Sequence, residues 1–270
     1  MRVCCAVCVL VSVVTAAALL TFVPAAAGIN HSGSGTYNYP PLTAAANHVV
    51  NAWDTTKVNL LPGGSIGGWL RAWTNSTVTV SGGTVEYEVQ ASTNATVNVT
   101  GGTIGDDLVA YGDSTVNVSG GSIGDDLYAF DNSTVNVSGG TFGGKLLAEY
   151  NSTVNVSGGS FEGNYLWSNG TVNISGGSFG GWLEAVGGGT VTIIGSGFNF
   201  PYGDYFEGGP LDGQVLTGTL ADGTPINNTV GIYSSPGTAT VTLARKIPEP
   251  ATAALVLLGA GGLMCRRRGA

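Results

Sequence analysis

Residues Thr115–Ser133 read Thr-Val-Asn-Val-Ser-Gly-Gly-Ser-Ile-Gly-Asp-Asp-Leu-Tyr-Ala-Phe-Asp-Asn-Ser, and variants of this unit fill the middle of the chain. Its Gly-Gly pair stands at Gly82-Gly83, Gly101-Gly102, Gly120-Gly121, Gly139-Gly140 and Gly158-Gly159, each 19 residues after the last. The next pair, Gly176-Gly177, follows after 18, because the unit around Ser168-Asn169 has lost one residue. A fixed period of this size is the signature of a repeat architecture. A unit this short buries no core alone and must stack on its neighbours.

Inside the unit, Thr115-Val116-Asn117-Val118-Ser119 alternates with period two, which turns the valines inward and the Thr, Asn and Ser outward. Gly120-Gly121 makes a corner, and Ser122-Ile123 is a second short extended piece. Its inward position holds Ile or Phe, as at Ile104, Phe142, Phe161 and Phe179. A third strand, Asp126 to Phe130, puts Leu127 and Ala129 inside, and Asn132-Ser133 turns the chain back. Three short strands per turn define an all-β parallel β-helix with neighbouring coils about 4.8 Å apart. Val50 to Val58 aligns with Leu127 to Val135, so the solenoid spans residues 48–195, about eight coils. An open solenoid has bare edges that invite association unless covered. Residues 28–47, with Pro40-Pro41 and Thr43-Ala44-Ala45-Ala46, are read as an N-terminal cap. Residues 196–246 leave the period and are read as a small C-terminal β cap, with turns at Asp212-Gly213, Asp222-Gly223 and Pro236-Gly237.

Both ends of the chain read as addresses. Arg2, the apolar run from Val3 to Val23 and then Pro24-Ala25-Ala26-Ala27 have the parts of a secretory signal peptide, residues 1–27. At the other end, residues 247–270 carry Pro248-Glu249-Pro250, an apolar stretch from Ala251 to Cys265, and Arg266-Arg267-Arg268. That tripartite order resembles the PEP-CTERM sorting signal of Gram-negative bacteria. The resemblance implies transient inner-membrane anchorage by the C-terminal helix, processing by an exosortase-type partner, and delivery to the cell surface or extracellular matrix. Three of the four cysteines lie in the leader and the fourth is Cys265, so the exported part contains no disulfide.

Between Gly28 and Lys246 five basic side chains face sixteen acidic ones, a net charge of −11. That excess excludes nucleic acid as a partner, whose phosphates call for Lys and Arg. No phosphate loop, histidine metal cluster or nucleophile–base pair occurs, so no cofactor and no catalytic residue is expected.

Because the units are in register, each outward position becomes a column along the solenoid. The first strand presents Thr-x-Asn-x-Ser/Thr, as in Thr134, Asn136 and Ser138, an uncharged array that resembles the hydroxyl faces of β-solenoid ice-binding proteins. The third strand is chemically richer. One of its columns reads Trp69, Glu88, Asp107, Asp126, Lys145, Tyr165, Trp182; another carries Trp53, Trp73, Tyr111 and Phe130; Arg71, Tyr128 and Trp167 lie between. Rings beside carboxylates suit sugars, since a ring stacks on a pyranose face while polar groups take its hydroxyls. Trp73, Tyr111, Tyr128, Trp167 and Trp182 are therefore the candidate glycan contacts. Glu88, Asp107 and Asp126 should stand one above another, with Asp106 and Asp125 at the adjacent corner, a stack of like charges that a Ca²⁺ ion would relieve. Polysaccharide lyases and hydrolases built on β-helices use similar acidic clusters, so an enzyme using Glu88, Asp107 and Asp126 is the alternative, beside an ice- or crystal-surface binder using the Thr/Asn face. The leading expectation is an exported, non-enzymatic β-helix protein associated with extracellular polysaccharide.

Overall fold

The computed structural model describes residues 28–39, 48–163, 165–235 and 237–247. The expected leader, residues 40–47 of the N-terminal segment, and the sorting-signal residues Pro248, Glu249, Pro250, Arg266, Arg267 and Arg268 lie outside the described residues.

The described residues form 23 strands and no helix, wound into a parallel β-solenoid. Eight coils pair in the expected register: Val50, Leu70, Val89, Leu108, Leu127, Leu146, Leu166 and Leu183 stand one above another, with Ala or Ser two residues on. All of these side chains are buried. So are Val116, Val118, Ile123 and their counterparts, save the partly buried Phe179, and they fill the interior in columns. At one corner the column swells to phenylalanine, and Phe142, Phe161 and Phe179 stack with centroids 4.5 and 5.1 Å apart and near-parallel planes. Like on like packs the core densely, because each ring meets an identical surface one coil away.

From the second coil onward each coil has two strands rather than the three expected. From Thr77 onward the first two pieces fuse into one bent strand, such as Thr115–Ile123, that runs through the Gly-Gly corner. The ladder merely shifts register there. Only the first coil keeps them apart, as Lys57–Leu60 and Ser65–Ile66, where Pro62 replaces a ladder-donating residue and the corner is one residue longer. The short strand, Leu127–Ala129 in the same coil, builds the other sheet.

Two geometric demands explain the Gly-Gly mark. The second glycine is left-handed, with φ +95° at Gly140 and Gly159. The first has no room: a Cβ on Gly139 would lie 2.5 Å from the carbonyl oxygen of Ser119 in the previous coil. The other corner also needs a left-handed residue, but not at Asn132, where the sequence places the turn, nor at its counterparts Asn75, Asn94, Asp113, Asn151 and Asn169. It falls one residue earlier, at Asp54, Thr74, Thr93, Gly112, Asp131 and Tyr150, with φ near +60° throughout. Two of the Asn side chains instead bond across coils, Asn132 Nδ2 donating to Asp113 Oδ1 at 3.0 Å and Asn151 Nδ2 to Asn132 Oδ1 at 3.4 Å.

On the outward face of the long-strand sheet the asparagines form a ladder. Asn117, Asn136, Asn155 and Asn173 each donate Nδ2–H to the Oδ1 of the asparagine one coil back, at 2.9–3.0 Å. Each such bond contributes on the order of 1 kcal/mol, repeated coil after coil. This gives the middle column a structural role and leaves its amides less free to order an external surface.

The end segments do more than cap. Ile29–His31 and Thr36–Tyr39 pair in parallel with the first coil, adding a rung at its N-terminal side. At the other end Val230–Tyr233 pairs in parallel with Leu183–Val186, and Thr240–Arg245 with Thr190–Gly195. The period is lost from sequence there because an excursion is inserted into that last rung. It pairs antiparallel, Val215–Thr219 with Pro225–Thr229 and Gly203–Tyr205 with Val241–Leu243. Asn228 fastens it, its Nδ2 donating to Phe179 O at 2.8 Å and Gly181 O at 2.6 Å.

Two opposite glycine exchanges test this geometry. Gly139→Ala should destabilise the protein by about 1–3 kcal/mol, the usual range for forcing an atom into a packed site. Thr93→Gly removes an exposed β-branched residue from φ +61° and should stabilise by about 0.5–1 kcal/mol, strain relief less the entropic cost of glycine. Urea midpoints measure both, and a shift of the same sign in the two variants would contradict the corner geometry.

Candidate functional site

The outward face of the short-strand sheet gathers the aromatic and charged side chains into three clusters. Nearest the N-terminal end, Trp53 and Trp73 stack at 5.1 Å, and Trp73 Nε1 donates to Asn51 Oδ1 at 3.3 Å. Beside them Trp69 stacks on Tyr87 at 4.9 Å, with the Arg71 guanidinium 5.8 Å from the Trp69 ring. In the middle, Phe130 stacks on both Tyr111 and Tyr128, at 5.1 and 5.6 Å. At the C-terminal end Tyr165 pairs in register with Trp182, and Trp167 with Glu184. The five candidate glycan contacts thus share one face but not one spot. Trp73, Tyr111 and Tyr128 are half-buried in ring stacks, whereas Trp167 and Trp182 remain 43% and 42% exposed.

The acidic stack lies beside the middle cluster, and its members have different surroundings. Asp107 Oδ1 accepts the backbone N–H of Asp126 at 2.9 Å. Asp126 accepts the Tyr128 hydroxyl at 2.6 Å through one oxygen and the backbone N–H of Lys145 through the other at 2.5 Å. These carboxylates terminate the backbone ladder where the chain enters the short strand. The oxygens that converge belong to Asp106, Asp107 and Asp125, all within 4.8 Å of one another, rather than to Glu88, Asp107 and Asp126. That trio is the arrangement able to hold a hard cation, which prefers several oxygens.

The electrostatics follow. Burial raises Glu88 above the usual carboxylate range; Arg71 opposes the shift, and Asp107 and Asp106 add to it. Burial also raises Asp107, against the Asp126 N–H and with the charges of Asp106, Asp126 and Asp125. Asp125 is raised by partial desolvation and then by Asp126 and Asp106. The Tyr128 hydroxyl is held strongly protonated, first by its bond to Asp126. In the C-terminal excursion Asp222 moves the other way: desolvation would raise it, but bonds from Thr224 and the Gly177 N–H outweigh that and lower it.

The concave part of this face is at its C-terminal end. A cleft of about 740 Å³ opens there, lined by Lys145, Glu149, Tyr165, Trp167, Glu184 and Tyr233 among others. It is hollow because the middle outward column there passes from Trp167 and Glu184 to Gly231, which has no side chain. Trp167 and Lys145 were legible as outward residues of the repeat. Tyr233 was not, because the inserted excursion hides its register from the sequence. Glu149 and Glu184 stand at repeat positions, Glu184 in the column of Tyr128 and Trp167, and extending that column one coil further would have found it.

Comparison with protein-family models, curated proteins and solved structures finds no match to this chain.

The raised carboxylates fix a pH dependence. A carboxyl whose folded pKa lies above its unfolded value stabilises the fold most below the unfolded value, near 4, and that contribution is lost as pH rises through the folded value. Lowering the pH from 7 to about 4.5 should therefore raise the melting temperature, and Asp107→Asn should reduce the rise. Asp222 contributes with the opposite sign, its stabilisation being lost only at lower pH. A melting temperature that falls steadily between pH 7 and 4.5 would contradict the assignment.

Proposed function

We propose that the protein is an exported, non-enzymatic β-helix protein of the cell surface or extracellular matrix that holds extracellular polysaccharide along the aromatic face of its short-strand sheet. The observation that carries this reading is the trio Tyr165, Trp167 and Trp182, each 42–43% exposed, the first two lining the cleft and Trp182 standing one coil on from Tyr165. Exposing rings costs free energy in water, about 25 cal/mol per Å² of apolar surface, so a clustered row fits a surface that is covered in use. Flat rings beside carboxylates and a lysine match a pyranose, with its apolar faces and hydroxyl rim.

Two features weigh toward holding rather than cutting. The faces are continuous from coil to coil, which suits a polymer. The carboxylates Asp107 and Asp126, the enzyme alternative's first candidates, accept backbone and tyrosine donors that fix the fold. For the ice-binding alternative, the Asn column of the Thr/Asn face is engaged in its own ladder. The exported location rests on the leader and on the Pro248-Glu249-Pro250 tail with its Arg266–Arg268 end, and it makes an exosortase-type enzyme the processing partner.

Binding of the purified protein to a panel of bacterial exopolysaccharides, followed by tryptophan fluorescence, tests the reading. Trp167→Ala should weaken binding about tenfold, equivalent to about 1.4 kcal/mol. Thr134→Ala on the opposite face should leave it unchanged. Absence of binding to every polymer, or equal effects of the two variants, would refute it.

A further inference from the structure

The cleft at the C-terminal end of the aromatic face contains a carboxylate that the fold does not use. Glu184 occupies an outward position, one rung after Trp167, yet is only 6% exposed. It is hemmed in at the hollow over Gly231, where a Cβ would lie 3.0 Å from the Tyr233 ring and 3.2 Å from Glu184 Cγ. Among the described residues no hydrogen-bond donor or cation reaches its carboxyl group, and burial alone pushes its pKa up. Its carboxyl oxygens open onto the cleft rather than into packed protein, so a cation entering the cleft can reach a carboxylate that no described protein group neutralises. Other acids of the sheet, Asp107 and Asp126, have donors of their own.

We infer that this cleft is a subsite for a cationic amino sugar, with the ammonium of a hexosamine unit lacking its N-acetyl group paired to Glu184 among Tyr165, Trp167 and Tyr233. The inference rests on the polysaccharide reading above and narrows it to a charge class. Three properties of the cleft select a cation over a neutral or acidic sugar. Rings attract an ammonium through their negative faces, more strongly when it is desolvated. Glu149 adds a second carboxylate against the single Lys145 on the rim. The surrounding domain carries a net charge of −11, which concentrates cations and repels uronates. A neutral sugar would leave Glu184 without a partner, and an acidic one would bring a third negative charge beside Glu149 and Glu184. The rings set an amino sugar apart from a cationic peptide, because the pyranose offers a flat apolar face for them to cover.

Calorimetric titration of the purified protein with length-matched oligomers tests this: glucosamine, N-acetylglucosamine, a uronate, and oligolysine as a charge control. The glucosamine oligomer should bind at least about tenfold more tightly than the other three. Glu184→Gln, which keeps shape and volume, should remove that preference while leaving the melting temperature equal or higher, and Glu149→Gln at the more open rim should halve it or more. Equal binding of the N-acetylated or uronate oligomer, equal binding of oligolysine, or a preference that survives both substitutions would overturn the amino-sugar assignment and leave the polysaccharide reading standing. Failure of all three oligosaccharides to bind, together with the exopolysaccharide panel, would overturn both.

Discussion

The structure depends on one close approach, the passage of each coil's Gly-Gly corner over the backbone of the coil before it. At Gly139 and Gly158 the hypothetical Cβ position is 2.5 Å from the preceding coil's carbonyl oxygen, so hydrogen atoms alone fit there. With that contact made, the long strand can bend without leaving its ladder, and the short strand returns on the far side in register. The rest follows from stacking identical units. Valines meet valines, phenylalanines meet phenylalanines, and backbone donors find the acceptors of the next coil. Polar side chains obey the same rule, since an asparagine above an asparagine can give and accept one bond without end.

This uniformity bears on function. A solenoid of identical coils offers continuous faces, and a distinct site arises where the copying fails. On the short-strand face the outward positions vary most, and the variation has a direction. Ring stacks hold Trp73, Tyr111, Tyr128 and Phe130 half-buried and leave Trp53 open at the N-terminal end, while Trp167 and Trp182 stay open at the C-terminal end, where the cleft is. The cleft forms where the final rung loses its side chain at Gly231 and gains Tyr233. The same inserted excursion that closes the end of the solenoid through Asn228 therefore delivers a wall of the candidate site.

The inward residues were legible in the sequence because burial leaves them few options. The valine pair, the Ile/Phe position and the Leu-x-Ala strand were all placed correctly by period alone. The corners were less legible. Asparagine is the residue expected at a left-handed turn, yet Asp131 and Tyr150 hold that conformation while the neighbouring Asn132 and Asn151 bond across coils, because tertiary ladder contacts outweigh local preference. The acidic stack was visible, but which oxygens converge depends on hydrogen bonds to neighbouring coils that spacing does not reveal. Tyr233 could not be placed at all, since its neighbour in space, Val186, is separated from it by the whole excursion.

The central claim is that the 19-residue unit is a structural module and that recognition lies in the coils that depart from it. Deleting one whole module, Thr115–Ser133, tests this most directly. The deletion removes the Asp125-Asp126 corner and the Tyr128 and Phe130 rings, but it sets Thr134 onto the Thr96 coil in register. Circular dichroism with a denaturant transition, measured together with polysaccharide binding, gives the answer. The account predicts a cooperative β fold that retains binding at the Trp167 cleft. A protein that no longer folds, or one that folds and no longer binds, would contradict it.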